Sequence, residues 1–192
     1  MSEVPQEPSP PTTLRVVGDS ITYLAHRHGA EAMFAERGYA ATLDGDAGER
    51  ADSPLRNTAW RAAASGGGPG SVGVYALGAN DLMRETFRDP EDPAFSTSEL
   101  SHLVATLTER LMYGSFWFED VVWVNVTTRT LNGNYNRGAR LLNAAMRAVC
   151  YRNGFCYADW DAKKAPTSDL IHQKIAGTPL WVDAIVESLA DP

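Results

Sequence analysis

Short apolar runs alternate with stretches of helical spacing along almost the whole chain, and this alternation constrains the fold most strongly. The predicted strands are 14–17, 39–43, 72–77, 121–126 and 155–158, and the predicted helices are 25–37, 52–64, 97–113, 136–152 and 178–189. Strands that alternate with helices of this length form a parallel sheet covered on both faces. We therefore predict one three-layer α/β/α domain over residues 14–192, with a central five-stranded parallel sheet, flavodoxin-like in general plan.

Two segments carry no such pattern. Residues 1–13 hold four prolines and lack the basic start and apolar stretch of a signal peptide, which predicts a disordered proline-rich tail and, by default, a cytoplasmic protein. The segment 84–98 is rich in Asp and Pro and is predicted to be a long surface loop.

Charge and cysteine content exclude several classes of function. The chain has 17 Lys and Arg against 24 Asp and Glu, a net charge of −7, so neither nucleic acid nor an anionic membrane surface is an expected partner. No apolar run approaches the roughly 20 residues of a membrane helix. Cys150 and Cys156 do not have the spacing of a zinc site; they are expected to be a buried, reduced pair, with a disulfide as the alternative.

Polar residues and glycines follow the predicted strands, and ligands of open parallel sheets bind at the carboxyl ends of strands. Gly18-Asp19-Ser20 follows the first strand, Gly48 the second, Gly78-Ala79-Asn80-Asp81 the third, and Asp169-Leu170-Ile171-His172 the fifth. Each has an ordinary structural interpretation: Ser20 and Asp81 as helix caps, Gly48 as a turn, Asp169 and His172 as a solvated loop pair. A serine at a strand-to-helix junction also suits a nucleophile, because unpaired N–H groups there can receive an anion.

In their order and placement these segments resemble the sequence blocks of the SGNH hydrolases, also called GDSL esterases and lipases. The resemblance implies that Ser20 is the nucleophile, His172 the general base and Asp169 the residue that orients the imidazole. It also implies an oxyanion hole formed by the backbone N–H groups of Ser20 and Gly48 and the side-chain amide of Asn80.

The expected activity is hydrolysis of a short acyl ester, such as an acetyl ester of a carbohydrate or a small metabolite, without metal or organic cofactor. An acyltransferase with the same triad and a non-catalytic binding module on the same fold remain as alternatives. The polar segment 127–135, with Arg129, Asn132 and Asn134, is either a substrate-contacting loop or a solvated one.

Overall fold

The computed structural model describes residues 12–88, 97–167 and 171–190. Its strands are β1 (Thr12–Gly18), β2 (Tyr39–Gly45), β3 (Ser71–Ala76), β4 (Asp120–Val124) and β5 (Cys156–Ala158). Its α-helices are α1 (Ser20–Arg27), α2 (Ala30–Ala35), α3 (Pro54–Ser65), α4 (Ala79–Arg88), α5 (Thr97–Gly114), α6 (Gly133–Asn153) and α7 (Thr178–Ala190).

The five strands form one parallel sheet in the order β2-β1-β3-β4-β5. Helices α1, α2 and α7 pack together on one face, and α3 to α6 pack on the other, so the predicted three-layer plan is confirmed. The chain passes from β1 to β2 on one side and returns to β3 on the other side of β1. This change of direction creates a crevice between the carboxyl ends of β1 and β3, which is where doubly wound folds bind ligands.

Large aromatic side chains fill the space between sheet and helices. Trp60, Trp123, Trp160 and Trp181 are all almost completely buried. Trp60 of α3 meets Tyr75 of β3 edge-on, with ring centroids 5.0 Å apart, and also packs on Phe118. Burial of such rings, which contribute on the order of 150–250 Å² each, holds the helical layers in a fixed position on the sheet.

The structure corrects two of the predicted elements. The single helix expected over 25–37 is two helices, and α1 already begins at Ser20. The break falls at Gly29, whose φ of +78° is a left-handed conformation that glycine adopts without strain.

The second correction concerns the predicted loop over 84–98. Helix α4 runs to Arg88 and α5 begins at Thr97, so both ends of this segment are helical. The prolines that suggested a loop, Pro90 and Pro93, lie in 89–96, outside the described residues. The proline-rich tail lies outside them too, as far as residue 11, and β1 begins at Thr12.

Both cysteines are buried and neither forms a disulfide, as predicted. Burial raises the pKa of the Cys150 thiol to about 12 and that of Cys156 to about 11, so both remain protonated near neutral pH. Among the helices of the described ranges, none has the length and apolar character needed to span a bilayer.

Candidate active site

Two glycines allow helix α1 to start directly against the end of the sheet. A Cβ on Gly18 would lie 2.0 Å from Thr22 Oγ1, and one on Gly45 would lie 2.3 Å from the backbone nitrogen of Tyr23. Gly18 pairs with Gly45 of β2 and with Ala76 of β3, so the three strands end at the same level. The first turn of α1 therefore sits on the carboxyl edge of the sheet, and Ser20 is its first residue.

Asp19 caps this helix from a buried position. Its Oδ1 accepts a hydrogen bond of 3.0 Å from the Ile21 N–H, and the residue is 1% exposed. Burial raises the pKa of the Asp19 carboxyl from 3.8 to about 7, and the Asp81 carboxylate nearby adds to the rise. The Ile21 N–H and His172 act in the opposite direction. Ionising Asp19 therefore costs free energy in the folded protein.

This cost predicts a pH-dependent effect of Asp19→Asn, which keeps an oxygen acceptor for the Ile21 N–H. A carboxyl whose folded pKa is raised contributes stability that is fully present below about pH 4 and lost as pH rises through about 7. An asparagine at this position does not ionise, so Asp19→Asn does not lose this stability as the pH rises. Since one pKa unit corresponds to about 1.4 kcal/mol, we expect Asp19→Asn to be more stable than wild type by on the order of 4 kcal/mol at pH 8, and no more stable at pH 4.

Urea unfolding of both proteins at the two pH values measures this difference. Asp46→Asn is the matched control, because the Asp46 carboxylate also accepts a backbone N–H, from Ala47 at 2.8 Å, but is exposed. A stability gain for Asp19→Asn that is equal at both pH values would contradict the prediction.

Ser20 and His172 are 152 positions apart in sequence and meet at this edge of the sheet. The distance between Ser20 Oγ and His172 Nε2 is 2.8 Å, a hydrogen bond between two half-buried side chains. In this arrangement the hydroxyl can donate its proton to the imidazole, as a serine nucleophile must. Ser20 is also at a helix N-terminus, where the first backbone N–H groups have no partner within the helix.

His172 is carried by a hairpin-like loop between β5 and α7. The two sides of the loop are joined by an antiparallel bridge between Thr167 and Gln173. The Lys174 N–H also donates to the Pro166 carbonyl at 2.9 Å. The predicted orienting acid, Asp169, lies in 168–170, outside the described residues, so its role stays a prediction.

The two further oxyanion donors predicted from the sequence lie on neighbouring segments of the same edge. Gly48 has a φ of +77°, a left-handed turn conformation in which a side chain would be strained. Asn80, in the first turn of α4, donates from Nδ2 to the carbonyl oxygen of Glu49 at 2.9 Å. This bond uses one of the two amide hydrogens and holds the Asn80 side chain beside the Gly48 turn.

Asp81 has a different position from the predicted helix cap. It lies inside the first turn of α4, and its Oδ2 accepts the Ala51 N–H at 3.1 Å. Burial raises the pKa of Asp81 to about 6. Asn80 and Asp81 thus both bind α4 to the segment after Gly48, at Glu49 and at Ala51. The motif Gly-x-Asn-Asp predicts the position of these residues after β3 but not these two contacts.

The polar segment 127–135 is bound to the protein at several points. The Thr128 N–H and hydroxyl both donate to the Asp161 carboxylate, at 2.8 and 2.7 Å. The Arg129 guanidinium lies 3.5 Å from the same carboxylate and 3.4 Å from the Ala165 carbonyl. Asn132 caps α6 by accepting the Tyr135 N–H. Hydrogen bonds therefore hold the segment 127–135 against Asp161 and Ala165, which precede the His172 loop.

Solved structures with this arrangement of strands and helices include several hydrolases. A lipolytic protein of the G-D-S-L family from Veillonella parvula matches with a TM-score of 0.75 and 17% identity, over 94% of this chain and 99% of that one. An acetylxylan esterase from Geobacillus stearothermophilus matches with a TM-score of 0.69 and 16% identity, over 94% and 95%. An α/β hydrolase from the metagenome of Lake Arreo, Spain, matches with a TM-score of 0.69 and 18% identity, over 93% and 95%.

This is the fold of the SGNH hydrolases. The resemblance identified from the sequence blocks is thereby confirmed for the fold. At the level of sequence, neither a family model nor a curated protein matches the chain. Because an SGNH hydrolase fold can carry different side chains around its substrate, the activity has to be argued from the site itself.

Proposed function

We propose that this protein is a serine esterase that works through an acyl-enzyme intermediate. The observation that carries the proposal is the 2.8 Å contact between Ser20 Oγ and His172 Nε2 at a helix N-terminus. It lies beside the crevice between β1 and β3, where this topology binds ligands. A nucleophile, a base and a helix N-terminus with backbone N–H groups in one place are what acyl transfer needs.

In the acylation step, Ser20 Oγ attacks the ester carbonyl carbon while its proton passes to His172 Nε2. The new C–O bond turns the carbonyl oxygen into an oxyanion. When the tetrahedral intermediate collapses, the bond to the alcohol oxygen breaks and His172 returns the proton to that oxygen. The alcohol leaves, and the acyl group remains on Ser20.

In the deacylation step, a water molecule replaces the alcohol. His172 takes a proton from the water as its oxygen attacks the acyl carbon, and Ser20 Oγ recovers that proton when it is released. In this proposal Asp169 holds the imidazole in the tautomer with Nε2 unprotonated and stabilises its charged form. The N–H groups of Ser20 and Gly48 and the second amide hydrogen of Asn80 receive the oxyanion.

For the substrate we propose a short acyl ester, for example an acetyl ester of a carbohydrate or a small metabolite. Two facts support this choice: one of the structurally similar proteins is an acetylxylan esterase, and the described chain adds no separate domain to the single sheet and its two helical layers. Initial rates on p-nitrophenyl esters of increasing chain length are expected to be highest for acetate. A clear preference for long chains would contradict the proposed substrate class and leave the serine chemistry intact.

A covalent serine probe separates an enzyme from a binding module on the same fold. A fluorophosphonate phosphonylates an activated serine with loss of fluoride, so we expect it to label the native protein at Ser20, as measured by mass spectrometry of peptides. Heat-unfolded protein is the control and should not be labelled. Absence of labelling in the native protein would favour the binding module.

The acyltransferase alternative differs only in what attacks the acyl-enzyme. Product analysis in the presence of sugar alcohols or amines distinguishes the two, because a transferase yields the new ester or amide in place of the free acid. We expect the free acid to be the main product.

A further inference from the structure

Gln173 follows the candidate base directly and is almost completely buried, with 1% of its surface exposed. Its side-chain Nε2 donates a hydrogen bond of 2.8 Å to the backbone carbonyl of Ile21. Ile21 is the residue after the candidate nucleophile. The base loop and the nucleophile helix are therefore joined by two adjacent links, Ser20 to His172 and Ile21 to Gln173.

The second link is not needed to complete helix α1. In an α-helix the carbonyl of Ile21 already receives the N–H four residues later, from Ala25. Gln173 adds a second donor to an oxygen that has one. What the bond does accomplish is to hold the backbone beside His172 against the first turn of α1.

The burial of this glutamine also has a cost. Its Oε1 is buried and has no hydrogen-bond partner among the described residues, and a buried polar atom without a partner lowers stability. An apolar side chain of similar length would avoid that cost. Residues that lower stability in this way are typical of functional sites.

The two links differ in what happens to them during the proposed reaction. The bond between Ser20 and His172 depends on the proton of the serine hydroxyl, and that proton is gone once Ser20 carries an acyl group. The bond from Gln173 to Ile21 involves no reacting atom and persists through the cycle. In the acyl-enzyme it is the one of these two links that remains, and it holds the backbone at His172 against α1 while Asp169, in the proposed mechanism, orients the imidazole.

We propose that Gln173 is a positioning residue that keeps the backbone at His172 against α1 during deacylation, when Ser20 is acylated and its own hydrogen bond to His172 is lost. This inference rests on the proposed function. It predicts that loss of the Gln173 bond slows the attack of water on the acyl-enzyme more than it slows formation of the acyl-enzyme. In the free enzyme the hydrogen bond to Ser20 still places the imidazole.

The test uses Gln173→Met, which keeps the length of the side chain and removes both the donor and the unpaired oxygen. Stopped-flow hydrolysis of p-nitrophenyl acetate separates the first burst of nitrophenol, which reports acylation, from the steady state, which reports deacylation. We expect the burst rate to stay within about twofold of wild type and the steady-state rate to fall about tenfold, since small misplacements of a catalytic group have effects of this size or larger. The midpoint of thermal unfolding should not fall.

Two further variants complete the test. Gln173→Asn keeps the amide but is one methylene too short to reach Ile21, so it should show the same split between burst and steady state. Ser188→Ala removes a buried side-chain bond to a helix carbonyl, from Ser188 Oγ to Ile185 at 2.7 Å, and should change neither rate.

The outcomes separate the two proposals. Equal slowing of burst and steady state, or no change in either, would overturn the role of Gln173 while wild-type turnover leaves the esterase proposal standing. A wild-type protein that neither turns over esters nor is labelled at Ser20 would overturn both.

Discussion

Replacement of Ser20 by alanine is expected to lower kcat for p-nitrophenyl acetate by about 10⁴-fold or more. The hydroxyl is the atom that forms the covalent bond to the acyl group, so no neighbouring group can take over its role. Ser20 is half-buried at the first position of α1, and its side chain is not the cap of that helix, because Asp19 accepts the Ile21 N–H. The fold should therefore be preserved, and circular dichroism and thermal unfolding should match wild type.

The control for this change is Ser53→Ala. Ser53 also stands at the start of a helix, α3, but its side chain makes no capping hydrogen bond. It should retain wild-type kcat and fluorophosphonate labelling, whereas Ser20→Ala should lose both. Substantial activity left in Ser20→Ala, with labelling at another residue, would show that the contact between Ser20 and His172 is structural.

The general plan of the fold could be predicted from the sequence because a buried parallel strand and an amphipathic helix leave different periods of apolar residues. The run 121–126 has valine at four of its six positions, and β4 covers Asp120–Val124. The spacing of apolar residues does not identify a helix that is short or polar. Helix α1 begins in the strand-end motif itself, so its first turn does not show in the predicted helix over 25–37. Helix α4 has acidic or basic residues at four of its ten positions and overlaps the Asp- and Pro-rich segment 84–98, so its pattern does not identify it as a helix.

The part of the candidate site that lies at the ends of the strands could be predicted from the sequence. Residues that follow parallel strands meet at one edge whatever the rest of the sequence does, so Ser20, Gly48 and Asn80 could be placed without a structure. Gln173 and Asp81 could not. Their contacts join segments far apart in sequence, Gln173 to Ile21 and Asp81 to Ala51, and a buried amide or carboxyl has no periodic pattern that identifies its partner.

Replacement of Asn80 by alanine is expected to lower kcat by about 10²–10³-fold and to change KM by less than about threefold. The reason is that an oxyanion donor acts on the charge that develops in the transition state and much less on the uncharged ester. Asn80→Asp should be at least as impaired, because a carboxylate cannot donate and would repel the oxyanion. Steady-state kinetics on p-nitrophenyl acetate measures both variants.

Asn80 also bonds to Glu49, so a loss of activity could arise from displacement of the Gly48 turn instead of a lost donor. Asp81→Asn distinguishes the two causes, because Asp81 ties the same segment to α4 through Ala51 and is not a proposed donor to substrate. An asparagine there still accepts the Ala51 N–H, so kcat should stay within about threefold of wild type. The less conservative Asp81→Ala removes that bond and releases the segment while leaving Asn80 in place. If Asp81→Ala lost as much kcat as Asn80→Ala, positioning of the Gly48 turn would account for the effect, and Asn80 would not be a direct oxyanion donor.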